Sequence, residues 1–417
     1  MTTAVHLDPD RLWRHGPGKS AAVAPVRPGP EADSSGGLGL RPALEEDTAP
    51  MDAVRAALAE LTYPARAAAG SVGDPAAVIG AALRVHRLEP HGEYAFHSSH
   101  PSVRAKYPVV VRDRSRGLVF DPWSWRWCAD PVGADRHGPR FRLQVRTEHL
   151  PRFYGGLRPI LGDLEQGVTL RHLATVAGAV GLELVATEGA RDGVAFDLVP
   201  GSADPAGSAD PAGAADPADD AARPGVDAPT WGRILERRSA GRMPRGLPGA
   251  LLSASRGLRP DESAALAAAL GGTVPLPGPP VVGMHTLHRR GDRWHRDDGA
   301  PVPAAAMAEV LASHGLPNAP RNGAYLERAE FLAFATADPD AIAAECGTEA
   351  VRLALVRAGW LIQGLSYPAA ACGRVCRPTR SFDDPAVTSL LGRPRREHVL
   401  LAAVIGVSPA TGIEVLL

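Results

Sequence analysis

A lysine beside a tyrosine can move a proton. In HPSVRAKYPVV (residues 100–110), Lys106 and Tyr107 stand together at the entrance to an apolar run. The chain has 45 basic residues, and only Lys19 and Lys106 are lysines. Arginine stays charged, with a pKa above about 12, and serves as a surface charge or an anion clamp. A lysine accepts a proton near neutral pH once burial lowers its pKa. The bland alternative is a chance lysine on a solvated strand end. A second set of residues suits a different task. In WGRILERRSAGRMP (231–244), an apolar helix stripe of Trp231, Ile234 and Leu235 runs into Arg237, Arg238 and Ser239, then Arg242. Guanidinium groups grip phosphate oxygens through paired hydrogen bonds, and a hydroxyl completes such a clamp. An isolated Arg-Arg-Ser is more often a solvated helix end.

Other reactive types are less well placed. Cys372 and Cys376 form a C-x3-C pair, with Cys346 upstream. Zinc sites usually need a second close pair, so no metal is expected and the thiols read as small apolar side chains. His285, His288 and His295 fall on an expected hairpin and are expected to face solvent. His97 and His100, in FHSSH (96–100), lie nearer Lys106 and could touch a ligand there. The tryptophans of WSWRW (123–127) alternate as on a strand, with core packing as the default.

These residues need a scaffold. The chain has 417 residues, with 45% hydrophobic and 22% charged content, as in ordinary globular proteins. A net charge of −1 gives no bulk electrostatic case for nucleic acid or an acidic membrane. No apolar run reaches the roughly 18–20 residues of a membrane span. The start, MTTAVHLDPDRLWRH, has no signal-peptide pattern. Four cysteines make no disulfide framework, and the expected setting is the cytoplasm. Residues 1–50 are rich in Gly, Pro and Ala, with a short helix expected near Pro9–His15. The repeat GSADPAGSADPAGAADP opens a small-residue linker over 201–226. Folded units are therefore expected over 51–200 and 227–417.

Those units resemble each other. Gly167, Leu173, Ala177, Ala179 and Gly181 match Gly359, Leu365, Ala369, Ala371 and Gly373, each pair 192 residues apart. Both stretches have small and apolar residues at helical spacing and stop at glycine. Small residues on one face let another helix pack closely. A strand hairpin is expected in each unit, over 107–122 and 279–298, and a last strand over 398–407. The expected class is α+β, with two halves of shared ancestry.

The order of these elements resembles the FMN-dependent nitroreductase superfamily, and within it the SagB-type dehydrogenases, which oxidise peptide thiazolines and oxazolines to azoles. The resemblance rests on ILERRS (234–239), HPSVRAKYP (100–108) with its hairpin, the Gly/Ala helix of each half, and CGRVCRPTRSFDDPAVTSLLG (372–392). It implies a tandem nitroreductase-like fold, an intrachain pseudo-dimer that binds FMN between its halves. The first half would supply Pro101 and Ser102, with Arg104 beside them. The second would supply the phosphate clamp of Arg237, Arg238, Ser239 and Arg242, and backbone contacts to the flavin ring at Gly373 and Arg374. Lys106 and Tyr107 would take the proton that azole formation releases. The implied substrate is a precursor peptide, and the implied partner is the cyclodehydratase that makes its azolines; self-association as a homodimer is left open. The chain departs from the family in three places. The first half lacks Arg-Arg-Ser. The second has TVPLPGPPVV (273–282) where Pro-Ser belongs. The late basic residue after the last strand is missing. One intact flavin site and one decayed site are therefore expected. Two rival readings remain open: a general NAD(P)H-dependent flavin reductase, and a non-catalytic scaffold of a peptide-modifying complex.

Overall fold

The computed structural model describes residues 49–67, 73–88, 96–98, 100–102, 107–122, 124–150, 152–190, 193–201, 229–237, 257–271, 274–276, 282–313, 328–380, 382–407 and 415–416. Arg104, Lys106, Arg238, Ser239, Arg242 and the helix expected near Pro9–His15 lie outside them.

The first half begins with two helices, α1 (Ala49–Glu60) and α2 (Pro75–Leu83). Asp74 starts α2, its carboxylate accepting from Ala76 N–H at 3.0 Å, and Pro75 supplies a preset φ. Next come β1 (Val85–Leu88), β2 (Phe96–Ser98), β3 (Val109–Asp113), β4 (Leu118–Asp121), β5 (Arg126–Ala129) and β6 (Phe141–Val145). The 22-residue helix α3 (Arg158–Ala179) follows, then β7 (Leu182–Ala190) and β8 (Gly193–Pro200). Helix α3 is buried on nearly every side, which suits its small and apolar residues.

The second half opens with α4 (Trp231–Arg237) and α5 (Pro260–Leu270). It continues with β9 (Gly283–Arg290), β10 (Arg293–Arg296), α6 (Ala304–Ser313), β11 (Phe331–Ala337), α7 (Pro339–Cys346), α8 (Thr348–Gly364) and α9 (Ser366–Ala371). The remainder is β12 (Val375–Thr379), α10 (Asp384–Leu390), β13 (His398–Gly406) and β14 (Val415–Leu416). Strand β11, FLAFATA, is buried at every residue, as a central strand covered on both faces must be. No helix among the described residues is long and apolar enough to cross a membrane.

The two main sheets share one strand order. The first runs β5-β4-β3-β6-β8-β7 and the second β10-β9-β11-β13-β12, every neighbouring pair antiparallel. Pairing β3 with β9, β4 with β10, β6 with β11, β8 with β13 and β7 with β12 superimposes the two orders, leaving β5 as an added edge. The helix before the last two strands is α3 in one half and α8 plus α9 in the other. Gly181 and Gly373 close these helices with φ of 81° and 71°, a left-handed conformation that glycine adopts without steric cost.

Helices α3 and α8 cross at two glycines. A Cβ on Gly167 would lie 1.8 Å from the carbonyl oxygen of Val356 and 2.7 Å from the Trp360 nitrogen. One on Gly359 would lie 2.1 Å from the carbonyl oxygen of Leu164 and 3.0 Å from the Val168 nitrogen. Residues 356 and 360 are the counterparts of 164 and 168 in the 192-residue repeat. The contact is therefore self-complementary about a local twofold, as in an isologous interface. The cores interleave accordingly. Val356, Trp360 and Tyr367 pack with Phe120, Leu170 and Phe196, whereas Ile160, Leu161 and Leu164 pack with Phe331, Leu355 and Ile362.

Three expectations need correction. Strand β13 is followed by β14, which pairs antiparallel with β1 of the first half, Leu416 opposite Arg87 and Val415 opposite Leu88. The WSWRW segment becomes strand only from residue 126. Trp125 sits at φ 60° and donates its indole N–H to the Val85 carbonyl at 2.9 Å, and Trp127 packs on Phe120 in the core. The hairpin histidines are half-buried: β9, with His285 and His288, lies beside β11, and His295 on β10 packs against β9. His288 stacks on His295 across the hairpin at 5.8 Å, and burial pushes the pKa values of His285 and His288 down.

Candidate functional site

The segment from Ser98 to Tyr107 is tied down at both ends. Ser102 Oγ accepts from the Tyr107 N–H at 2.9 Å, so the two described residues that flank 103–106 are joined. Tyr107 has φ of 44°, uncommon for a residue with a Cβ, and is buried to 6% exposure. Its hydroxyl accepts from the Ser98 N–H at 2.7 Å. The Ser98 hydroxyl donates to the Leu83 carbonyl at 2.9 Å, which leaves its oxygen to accept from His100 Nδ1 at 3.2 Å.

A chain of polar groups continues from there into the second half. The His100 ring lies edge-on to Tyr107 at 5.1 Å and stacks on His172 at 5.3 Å. His172, on α3, is fully buried. Its Nε2 lies 2.9 Å from the Ala82 carbonyl, which only accepts, so Nε2 carries the proton. Its Nδ1 then accepts from the Tyr367 hydroxyl at 2.9 Å. Gln363 donates to the same hydroxyl at 3.1 Å, and Ser366 donates to Gln363 Oε1 at 3.3 Å. Trp231, at the start of α4, meets Tyr367 edge-on at 6.2 Å. The 98–107 segment of one half is thus joined through two histidines to α9 and α4 of the other.

Reading the sequence missed His172, Gln363 and Tyr367. The available signal was a histidine among Leu170, Leu173, Val176 and Ala177 on an otherwise apolar helix face. The cavity lined by Leu83, His100, Tyr107, Val109 and Phe120 measures about 10 Å³, room for the centre of one water molecule and far too small for a flavin ring.

The second-half candidates are placed differently. Arg237 ends α4, and its side chain is not among the described ones. A Cβ on Gly373 would meet nothing within 4 Å, so its backbone borders open space. Arg374 does not behave as a ligand-facing residue. Its guanidinium donates to Glu330 at 3.0 Å, to Glu262 at 2.9 Å, and to the carbonyls of Cys372 and Gly257. All three partners in this Arg–Glu–Glu group are buried, which makes it an internal strut joining α5, β11 and β12. Cys376 is buried and Cys372 half-buried, the latter thiol pushed up to about 11 by burial. Among the described residues, no three His, Cys, Asp or Glu side chains gather as a metal site would require.

Tyr107→Phe tests the first-half segment directly. The buried Ser98 N–H loses its acceptor, at a cost of about 1–3 kcal/mol. A urea midpoint unchanged from wild type would show that this hydrogen bond contributes nothing.

No family model matches the chain, and no curated protein matches its sequence. Among solved structures, a protein described as a nitroreductase from Anabaena variabilis matches with a TM-score of 0.52 at 13% identity, over 79% of this chain and 86% of its own. The fold is nitroreductase-like. A match over 79% of this chain takes in parts of both halves. Looser likenesses include a protein described as an NAD(P)H:FMN oxidoreductase from Staphylococcus epidermidis (13% identity, 44% of this chain, 89% of that one, TM-score 0.28). Another is the E. coli microcin synthetase complex with truncated pro-MccB17 bound (14% identity, 30% of this chain, 51% of that one, TM-score 0.25). These two are too loose to bear on function.

The fold raises the question of FMN. Ser102 fits such a group, since its hydroxyl accepts from the Tyr107 N–H and has a proton of its own. Gly373 borders open space but gives its N–H to the Ala370 carbonyl at 3.0 Å, so it would offer such a group its carbonyl alone. Arg374 has no backbone N–H left to offer, since it gives it to the Ala369 carbonyl at 2.8 Å.

Proposed function

We propose that this chain is an FMN-dependent oxidoreductase that converts azolines in a modified precursor peptide to azoles, its halves 51–200 and 227–417 forming an intrachain pseudo-dimer joined by 201–226. The observation that supports this is the common strand order of the two sheets about the self-complementary Gly167–Gly359 crossing, in a nitroreductase-like fold. Pro101, Ser102 and Gly373 would border the flavin, and Arg237, Arg238, Ser239 and Arg242 would hold its phosphate. When bound, the flavin supplies a hydride acceptor. Azole formation also releases a proton, and Lys106 is the residue assigned to take it. Tyr107 stands beside it in sequence, and its hydroxyl accepts from the Ser98 N–H. The azolines would come from a cyclodehydratase, and molecular oxygen would reoxidise the flavin.

The purified protein should be yellow, with one FMN per chain. Arg237→Ala combined with Arg238→Ala removes two charge-assisted contacts of about 1.5–3 kcal/mol each, so FMN affinity should fall about 10²-fold or more. Two FMN per chain would refute the single-site arrangement. Flavin bleached by NAD(P)H and never by an azoline peptide would make the chain a general reductase. The backbone N–H groups of Gly373 and Arg374, given to the carbonyls of Ala370 and Ala369, favour a different reading, a scaffold that binds peptide without flavin. A colourless protein that takes up no added FMN would establish that reading over the first.

A further inference from the structure

The α3–α8 crossing is symmetric in backbone and asymmetric in side chains. Asp163 on α3 receives Arg352 of α8 at 3.1 Å and 3.3 Å, and Gln166 donates to the same carboxylate at 3.2 Å. Asp163 is 5% exposed, and burial pushes its carboxyl up while Arg352 pulls it back. In the 192-residue repeat, the twofold mate of this ion pair is Leu355 with Ile160, both buried in one apolar cluster. The hydrogen bond of His172 to Tyr367 has as its mate Gly364 with Thr175. Arg171 lies over the Trp360 ring at 5.1 Å, and the mate is Gln363 with Val168. Each of three polar or charged contacts therefore occurs once, on one side of the local axis.

We propose that these one-sided pairs make the two halves obligate partners of unlike kind, each pairing with the opposite half of this chain and rejecting a second copy of itself. If two first halves met through α3, each Asp163 would face Ile160, each His172 would face Thr175 and each Arg171 would face Val168. If two second halves met through α8 and α9, each Arg352 would face Leu355 and each Tyr367 would face Gly364. An isologous interface imposes every such mismatch twice. Removing one partner of a buried ion pair leaves an uncompensated charge, so rejection by unlike contacts sets the partner, as specificity by repulsion does elsewhere. The proposal concerns pairing alone and stands whether or not the chain binds flavin.

The experiment uses the full chain with a site-specific protease sequence placed within 202–228, cut after folding. The two fragments are dissociated in urea, returned to buffer and weighed by native mass spectrometry. Unlike pairs should return, with like pairs at least ~10²-fold rarer. Cut Asp163→Arg/Arg352→Asp protein is then mixed with cut wild type. Parental pairs should re-form, and crossed pairs, which bring two like charges together, should be depleted at least ~10²-fold. Crossed pairs at parental abundance would overturn the proposal. So would like pairs as abundant as unlike ones, or wild-type fragments that fail to re-pair. Should the exchanged variant not fold, Asp163→Leu/Arg352→Ile removes the largest asymmetry. Like pairs should then rise at least tenfold, and no rise overturns the proposal.

Discussion

Lys106→Arg is expected to slow single-turnover flavin reduction by an azoline peptide about 10²–10⁴-fold while leaving the flavin spectrum intact. The substitution keeps the positive charge and removes the ability to accept a proton at accessible pH. Lys106→Ala should be as damaging, and neither should release FMN, since the residues assigned to the phosphate belong to the other half. Tyr107→Phe should cost stability first and rate second, because the buried Ser98 N–H loses its acceptor. Stopped-flow bleaching, with flavin occupancy matched beforehand, measures the effect. If Lys106→Arg bleaches as fast as wild type, the lysine is only a charge and the proton goes elsewhere.

Gly167→Ala should be strongly destabilising. The new Cβ would sit 1.8 Å from the Val356 carbonyl oxygen and 2.7 Å from the Trp360 nitrogen, and both are backbone atoms that cannot rotate away. The helices must separate, which loosens the contacts of both cores along their length and stretches the Asp163–Arg352 and His172–Tyr367 links. A loss of about 3 kcal/mol is expected, at the upper end for an overpacked core. Gly359→Ala should behave alike, since its Cβ would lie 2.1 Å from the Leu164 carbonyl oxygen. Gly156→Ala, where a Cβ would meet nothing within 4 Å, serves as the control. A melting temperature for Gly167→Ala equal to that of the control would show that the helices are not in backbone contact.

Local pattern was legible in the sequence where it repeated. The small-residue helices, their glycine stops and the strand hairpins all follow from periodicity, and the 192-residue offset matched Gly167 with Gly359 as counterparts, though not as a contact. What escaped was contact between residues distant along the chain. His172 meets Tyr367 across 195 positions, and Arg374 meets Glu262 across 112. Pairing partners at such separations leave no local trace, so the strut formed by the Arg374 side chain was not legible. Tyr107 was singled out for its chemistry, whereas its positive φ and the Ser98 N–H at its hydroxyl are tertiary facts. Strand β14 is two residues long, too short for any alternation to reveal.

That short strand also bears on how the molecule is made. Strand β1 pairs with β2 on one side and with β14 on the other. The ribosome reaches β14 about 330 residues after β1, a wait of about 15–65 s at about 5–20 residues per second. Throughout that interval the far edge of β1 has no strand to receive, and an open edge is a template for any other extended segment nearby. Nascent chains on one polysome therefore carry, in the same place, the same unfilled edge. Slowing translation over 229–414 should lengthen this exposure and raise the yield of insoluble chain, with no change in the finished fold.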